Sequence, residues 1–97
     1  MRVLLRAEMD TEKGNEAIRS GSLDKTMTAA LEAIRPEAAY FTVQNGRRTA
    51  YIVFDLADQS DLPRIAEPFF MEMGAKIDFT PVMNREDLGK GLAALGN

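Results

Sequence analysis

Residues 38–55 read Ala38-Ala-Tyr-Phe-Thr-Val-Gln44, then Asn45-Gly46, then Arg47-Arg-Thr-Ala-Tyr-Ile-Val-Phe-Asp55. Two runs rich in β-branched and aromatic residues around Asn-Gly predict a hairpin. Asn and Gly both accept the positive φ that a tight two-residue turn demands. That turn sets a register in which Gln44 faces Arg47, Thr42 faces Thr49, Phe41 faces Ala50 and Tyr40 faces Tyr51. Side chains alternate along a strand, so the register also sorts the faces. Ala39, Phe41, Val43, Ala50, Ile52 and Phe54 point one way, and Ala38, Tyr40, Thr42, Thr49, Tyr51, Val53 and Asp55 point the other.

Helical patterns flank the hairpin, and a further apolar run lies beyond each. Arg2 to Met9 alternates, with Val3, Leu5, Ala7 and Met9 on one face and Arg2, Leu4, Arg6 and Glu8 on the other. This is the pattern of a half-buried strand. Asp10 or Thr11 then caps a helix. Ser20-Gly21-Ser22 interrupts that helix, and Ser22 restarts it. Leu23, Met27, Ala30, Leu31 and Ile34 form one helical stripe, which ends before Pro36.

After the hairpin, a second helix is expected from about Asp61 to Met73, with Ile65, Phe69 and Met73 buried and Gly74 as its stop. Pro63 suits a first turn. Pro68 is expected to kink or split the helix, because it removes an internal hydrogen bond. Lys76 to Val82 predicts a fourth strand, with Ile77 and Phe79 inward and Lys76, Asp78 and Thr80 outward. Asn84 then caps a last helix, with Asp87 completing a capping box. Leu88, Leu92 and Leu95 fall on one side of that helix, and Gly89 and Gly91 weaken it enough that it needs a docking surface.

The order β-α-β-β-α-β predicts an α+β sandwich of one domain over residues 1–97: a four-stranded antiparallel sheet, helices on one face, and a C-terminal helix. One sheet face then stays uncovered. It carries Leu4, Arg6, Glu8, Tyr40, Thr42, Thr49, Tyr51, Val53, Lys76, Asp78 and Thr80. Tyrosines set among valine and leucine with charges around them suit a contact surface.

Composition narrows the chemistry. The chain of 97 residues has no cysteine and no histidine, so thiolate chemistry, disulfides and the commonest metal ligand and general base are out. We expect no cofactor and no metal. Asp55, Asp58 and Asp61 have metal-ligand spacing but lack the glycine of a calcium loop, and read better as a strand end and helix caps. A net charge of −3 argues against nucleic acid as a partner. No apolar run is long enough to cross a membrane, and the start Met1-Arg-Val-Leu-Leu-Arg6 is interrupted by charge too soon for a signal peptide, so a cytoplasmic location is expected.

The pattern resembles the dimeric α/β-barrel superfamily of ferredoxin-like proteins. The resemblance is carried by element order from Arg2 to Thr80 and by the segments Ala39-Tyr-Phe, Arg48-Thr-Ala-Tyr-Ile-Val-Phe-Asp, Glu67-Pro-Phe-Phe and Thr80-Pro-Val-Met-Asn, which look like those of small uncharacterised bacterial members. That superfamily also includes antibiotic-biosynthesis monooxygenases and muconolactone isomerases. The resemblance implies a homodimer packed sheet against sheet, with pockets inside or beside the barrel. Trp and His, which the haem-degrading branch uses, are missing here.

Two readings of the open face follow. In the first, Arg6 anchors an anionic ligand, Glu8 or Asp78 takes a proton from a carbon acid, and Tyr40 and Tyr51 hold a planar aromatic molecule. In the second, Arg6 forms a cross-strand ion pair with Glu8 or Asp78, and Leu4, Tyr40, Thr42, Thr49, Tyr51 and Val53 form a dimer interface. Arg47-Arg48 reads as a solvated basic spot on the hairpin tip. The expected function is a small-molecule-binding dimer, with a cofactor-independent monooxygenase or isomerase and a structural or protein-interaction module as the alternatives.

Overall fold

The computed structural model describes residues 1–96. Strand β1 (Arg2–Glu8) leads into helices α1 (Thr11–Ser20) and α2 (Ser22–Ile34), then strands β2 (Ala38–Gln44) and β3 (Arg47–Asp55). A single 3-10 turn (Gln59–Asp61) precedes helix α3 (Leu62–Met73), strand β4 (Lys76–Pro81) and helix α4 (Arg85–Ala93). The four strands form one antiparallel sheet in the order β2-β3-β1-β4. This is a ferredoxin-like α+β fold.

Turn chemistry sets the sheet. Asn45 and Gly46 both have positive φ, 56° and 73°, as a turn matched to the strand twist requires. The hairpin pairs Gln44 with Arg47 and Tyr40 with Tyr51. Strand β1 then places Arg6 between Tyr51 of β3 and Asp78 of β4, and Glu8 between Thr49 and Lys76.

Local signals also set the helices. Asp10 caps α1 by accepting from the Lys13 amide. Gly21 ends α1 at φ 79° and begins α2, so one residue turns the corner between the two helices. A side chain there costs about 1–2 kcal/mol. Gly21→Ala is therefore expected to lower the unfolding free energy by about that amount in urea denaturation, with an unchanged slope. Asn84 and Asp87 form the expected capping box of α4. Asp58 precedes the 3-10 turn, and its carboxyl is held below the usual carboxylate range, first by the Ser60 hydroxyl at 2.7 Å and then by the Ser60 backbone.

The core lies between sheet and helices. Leu5, Ile52, Phe54 and Phe69 have at most 1% of their surface exposed, and Val3, Ala50, Ile65 and Met73 pack with them. The Phe54 and Phe79 rings meet edge to face at 6.3 Å.

The structure corrects two expectations. Pro68 does not split helix α3, which continues through it to Met73. Burial of Ile65, Ala66, Phe69 and Met73 around it outweighs the one missing hydrogen bond. Phe41 and Val43 share the helix-side face but are 56% and 71% exposed. Helix α1 packs on β3 and α3 on β4, so the turn end of edge strand β2 lies beyond their cover, while Ala39 still packs on the core. The sequence leaves open whether Leu88, Leu92 and Leu95 pack on their own subunit or on a partner; in the chain alone all three are exposed. Asp87 ties this helix to Arg2 at 2.8 Å. With α4 standing off the body the radius of gyration is 15.4 Å, against about 12.5 Å for a compact domain of this length.

Candidate functional site

The open face carries a charge network on its inner strands. The Arg6 guanidinium donates to Glu8 Oε2 at 2.8 Å and to Asp78 Oδ2 at 3.2 Å. Arg47 reaches the other oxygen of Glu8 at 3.8 Å. Glu8 is thereby screened from water, with a side chain only 11% exposed on the uncovered face of the sheet. The structure thus joins Arg6, Glu8 and Asp78 as the sequence suggested, and it joins them as partners of one another. Arg6 meets two carboxylates, so an incoming anion would have to displace one of them.

The cost of breaking this network falls on Glu8, because a nearly buried acceptor is left short of partners. Arg6→Met is expected to destabilise the fold by about 1–3 kcal/mol. The double variant with Glu8→Gln should recover part of that loss, since the stranded charge is gone. Urea denaturation of the two variants checks both expectations.

Tyr40 and Tyr51 are direct cross-strand partners. Tyr51 is half-buried and its hydroxyl bonds Gln44 Oε1, which leans the ring along the hairpin. Tyr40 stands 70% exposed. Leu4 and Val53 face each other across β1 and β3 and are half-buried. Thr42 is exposed beside Thr49, which is buried and donates to the Arg47 carbonyl. These six residues form an apolar and hydroxylic strip beside the charge network.

A second candidate site, an open apolar cleft, lies on the opposite side of the sheet. Because β2 extends beyond the helical layer, a cleft of about 500 Å³ opens between the hairpin and the α1–α2 corner. Met9, Ala17, Ile18, Leu23, Met27 and Phe41 line it. Arg48 and Thr49 also border it, as does Asp24 from the first turn of α2.

Arg48 is the residue that sequence reasoning missed. It sits two residues beyond the turn, where the sequence suggests a solvated tip, yet its parity matches Ala50 and Ile52, so it points to the helices. Its guanidinium donates to Asn15 Oδ1 at 3.0 Å and to the Thr11 carbonyl at 3.5 Å. Gly14 makes room for it: a Cβ at that position would meet Arg48 Nη1 at 2.6 Å. The available signal was the pairing of strand parity with a glycine inside a helix.

The aspartates with metal-like spacing go separate ways. Asp58 accepts from Ser60, and Asp61 lies 3.6 Å from Arg64. No helix among the described residues is long and apolar enough to cross a membrane. No protein-family model matches the chain, and no curated protein is similar enough in sequence to pair with it.

Proposed function

We propose that this chain is a small-molecule-binding protein of the dimeric α/β-barrel type, with two copies packing through their open sheet faces and each holding its ligand in the cleft between hairpin and helices. One observation carries the reading: a chain of 97 residues keeps an apolar cleft of about 500 Å³, within the range of ligand pockets, where a tighter helical layer would have filled it. The uncovered strip of Leu4, Tyr40, Tyr51 and Val53 supports the sheet-to-sheet pairing. Binding is favoured over turnover because Glu8 and Asp78, the acids placed for proton transfer, already balance Arg6.

The test uses a neutral apolar dye, Nile red, whose emission rises in an apolar site. The wild-type protein should bind it with a saturable isotherm. Ile18→Trp, at a cleft-lining position that is 51% exposed and so tolerant of a larger side chain, should fill the space and abolish binding without changing the melting temperature. Equal dye binding by wild type and variant would place the apolar site elsewhere and overturn the reading.

A further inference from the structure

The geometry points to a ligand class for this cleft: an elongated apolar monocarboxylate, its carboxylate on Arg48 and its alkyl or aryl body along Ile18, Leu23, Met27 and Phe41. The inference rests on the cleft being the binding site, and it adds the chemistry that selects the ligand.

Arg48 is the carrying observation. It is half-buried, and among the described residues no carboxylate lies within ion-pair distance of it. The other arginines on the sheet, Arg2, Arg6 and Arg47, each have a carboxylate partner. Arg48 instead meets two neutral acceptors, Asn15 Oδ1 and the Thr11 carbonyl. Those contacts orient the guanidinium and leave its charge uncompensated. A guanidinium has five N–H donors in a planar fork, so donors remain to take a carboxylate in bidentate fashion. Gly14 leaves room for the guanidinium beside α1, at the border of the cleft.

The layout of the cleft sets the shape of the ligand. Arg48 is anchored at the first turns of α1, through Thr11 and Asn15. Asp24 belongs to the first turn of α2, beyond the far end of α1. From Asn15 to the end of α1 at Ser20 is five residues, about 7.5 Å of helix, and the Gly21 corner leads on to Asp24. The walls between are apolar: Ala17, Ile18, Leu23, Met27 and Phe41. One cation at one end and one carboxylate at the other favour a single negative charge. A phosphate dianion lacks a second cation, and a dicarboxylate would bring its far end to Asp24.

Isothermal titration calorimetry with decanoate, 1-decanol and decanedioate, each below its micellar or solubility limit at neutral pH, tests this. Wild-type protein should bind decanoate roughly ten- to a hundred-fold more tightly than decanol, as expected for a charge-assisted pair. Decanedioate should bind more weakly than decanoate. Arg48→Gln should remove the preference and leave decanol affinity unchanged. Gly14→Ala is the second variant. It suits the helix better than glycine, and its methyl displaces only the flexible end of Arg48, so it should fold at least as stably and still lose the preference. Equal binding of decanoate and decanol by wild type, or a preference that survives Arg48→Gln, would overturn the carboxylate assignment and leave the cleft reading standing. Failure of both decanoate and decanol to bind would overturn the cleft reading, and this inference with it.

Discussion

Phe69→Ala is expected to destabilise the chain by about 3–5 kcal/mol, the largest effect of any single truncation considered. Phe69 is 0% exposed and sits mid-way along α3, where it joins that helix to Leu5, Ile52 and Phe54 of the sheet. Removing its ring takes away both the transfer free energy of the phenyl group and its packing contacts, and the rigid sheet beneath cannot collapse to fill the space. A domain of this size has a total stability of roughly 5–15 kcal/mol, so the variant should be near its limit at room temperature. It should also loosen α3 next to Pro68, where the interior of that helix lacks a hydrogen bond. Chemical denaturation of Phe69→Ala beside wild type measures the loss. A change under about 1 kcal/mol would mean that the core closes around the missing ring, contrary to a tightly packed sheet–helix interface.

The second large effect concerns assembly. Val53→Lys is expected to weaken self-association by at least about a hundred-fold while leaving the subunit folded. Val53 lies near the middle of the open face, paired with Leu4 on one side and Ala38 on the other. In an isolated subunit a lysine there can extend its charge into water along the sheet. Between two packed sheets the same charge is enclosed with no carboxylate assigned to it. Sedimentation velocity over a range of concentrations separates the cases, and a circular dichroism melt of the dilute variant confirms folding. If wild type sediments as a monomer throughout, sheet-to-sheet pairing fails.

Most of the fold was legible because it is written in short-range chemistry. Asn45-Gly46 sets the hairpin register, Asp10 and Asn84 start helices, and Gly21 and Gly74 stop them. Each signal acts within a few residues, so a sequence displays it directly. Alternation then sorted the faces, and the observed pairings of Tyr40 with Tyr51 and Arg6 with Asp78 follow from it.

The errors came from relations between layers. Whether Pro68 splits a helix depends on how much apolar surface anchors the residues on either side, a property of the packed core. Whether Phe41 and Val43 are covered depends on how far two helices reach across a sheet, which no local pattern encodes. The cleft exists for that same reason. On the open face the charges are partners of one another, in keeping with the second of the two readings of that face. Arg48 was overlooked because its neighbour Arg47 and the adjacent turn suggested solvent. Strand parity placed it correctly, and Gly14, sitting within α1 where alanine would be the better helix former, marked the close approach.

The unpacked leucines of α4 lie outside both proposed surfaces. Their exposure is a fact of the isolated chain, and the tie between Asp87 and Arg2 holds the helix at the start of β1. The Arg2 guanidinium has its pKa raised, chiefly by its hydrogen bond to Glu37.

The most direct test of the account is a backbone amide spectrum of the protein recorded through a titration with decanoate. Saturable shifts are expected at Met9, Ile18, Leu23 and Phe41, with those at Leu4, Tyr40 and Val53 unchanged. Shifts centred on Tyr40, Tyr51 and Arg6, or none that saturate, would contradict it.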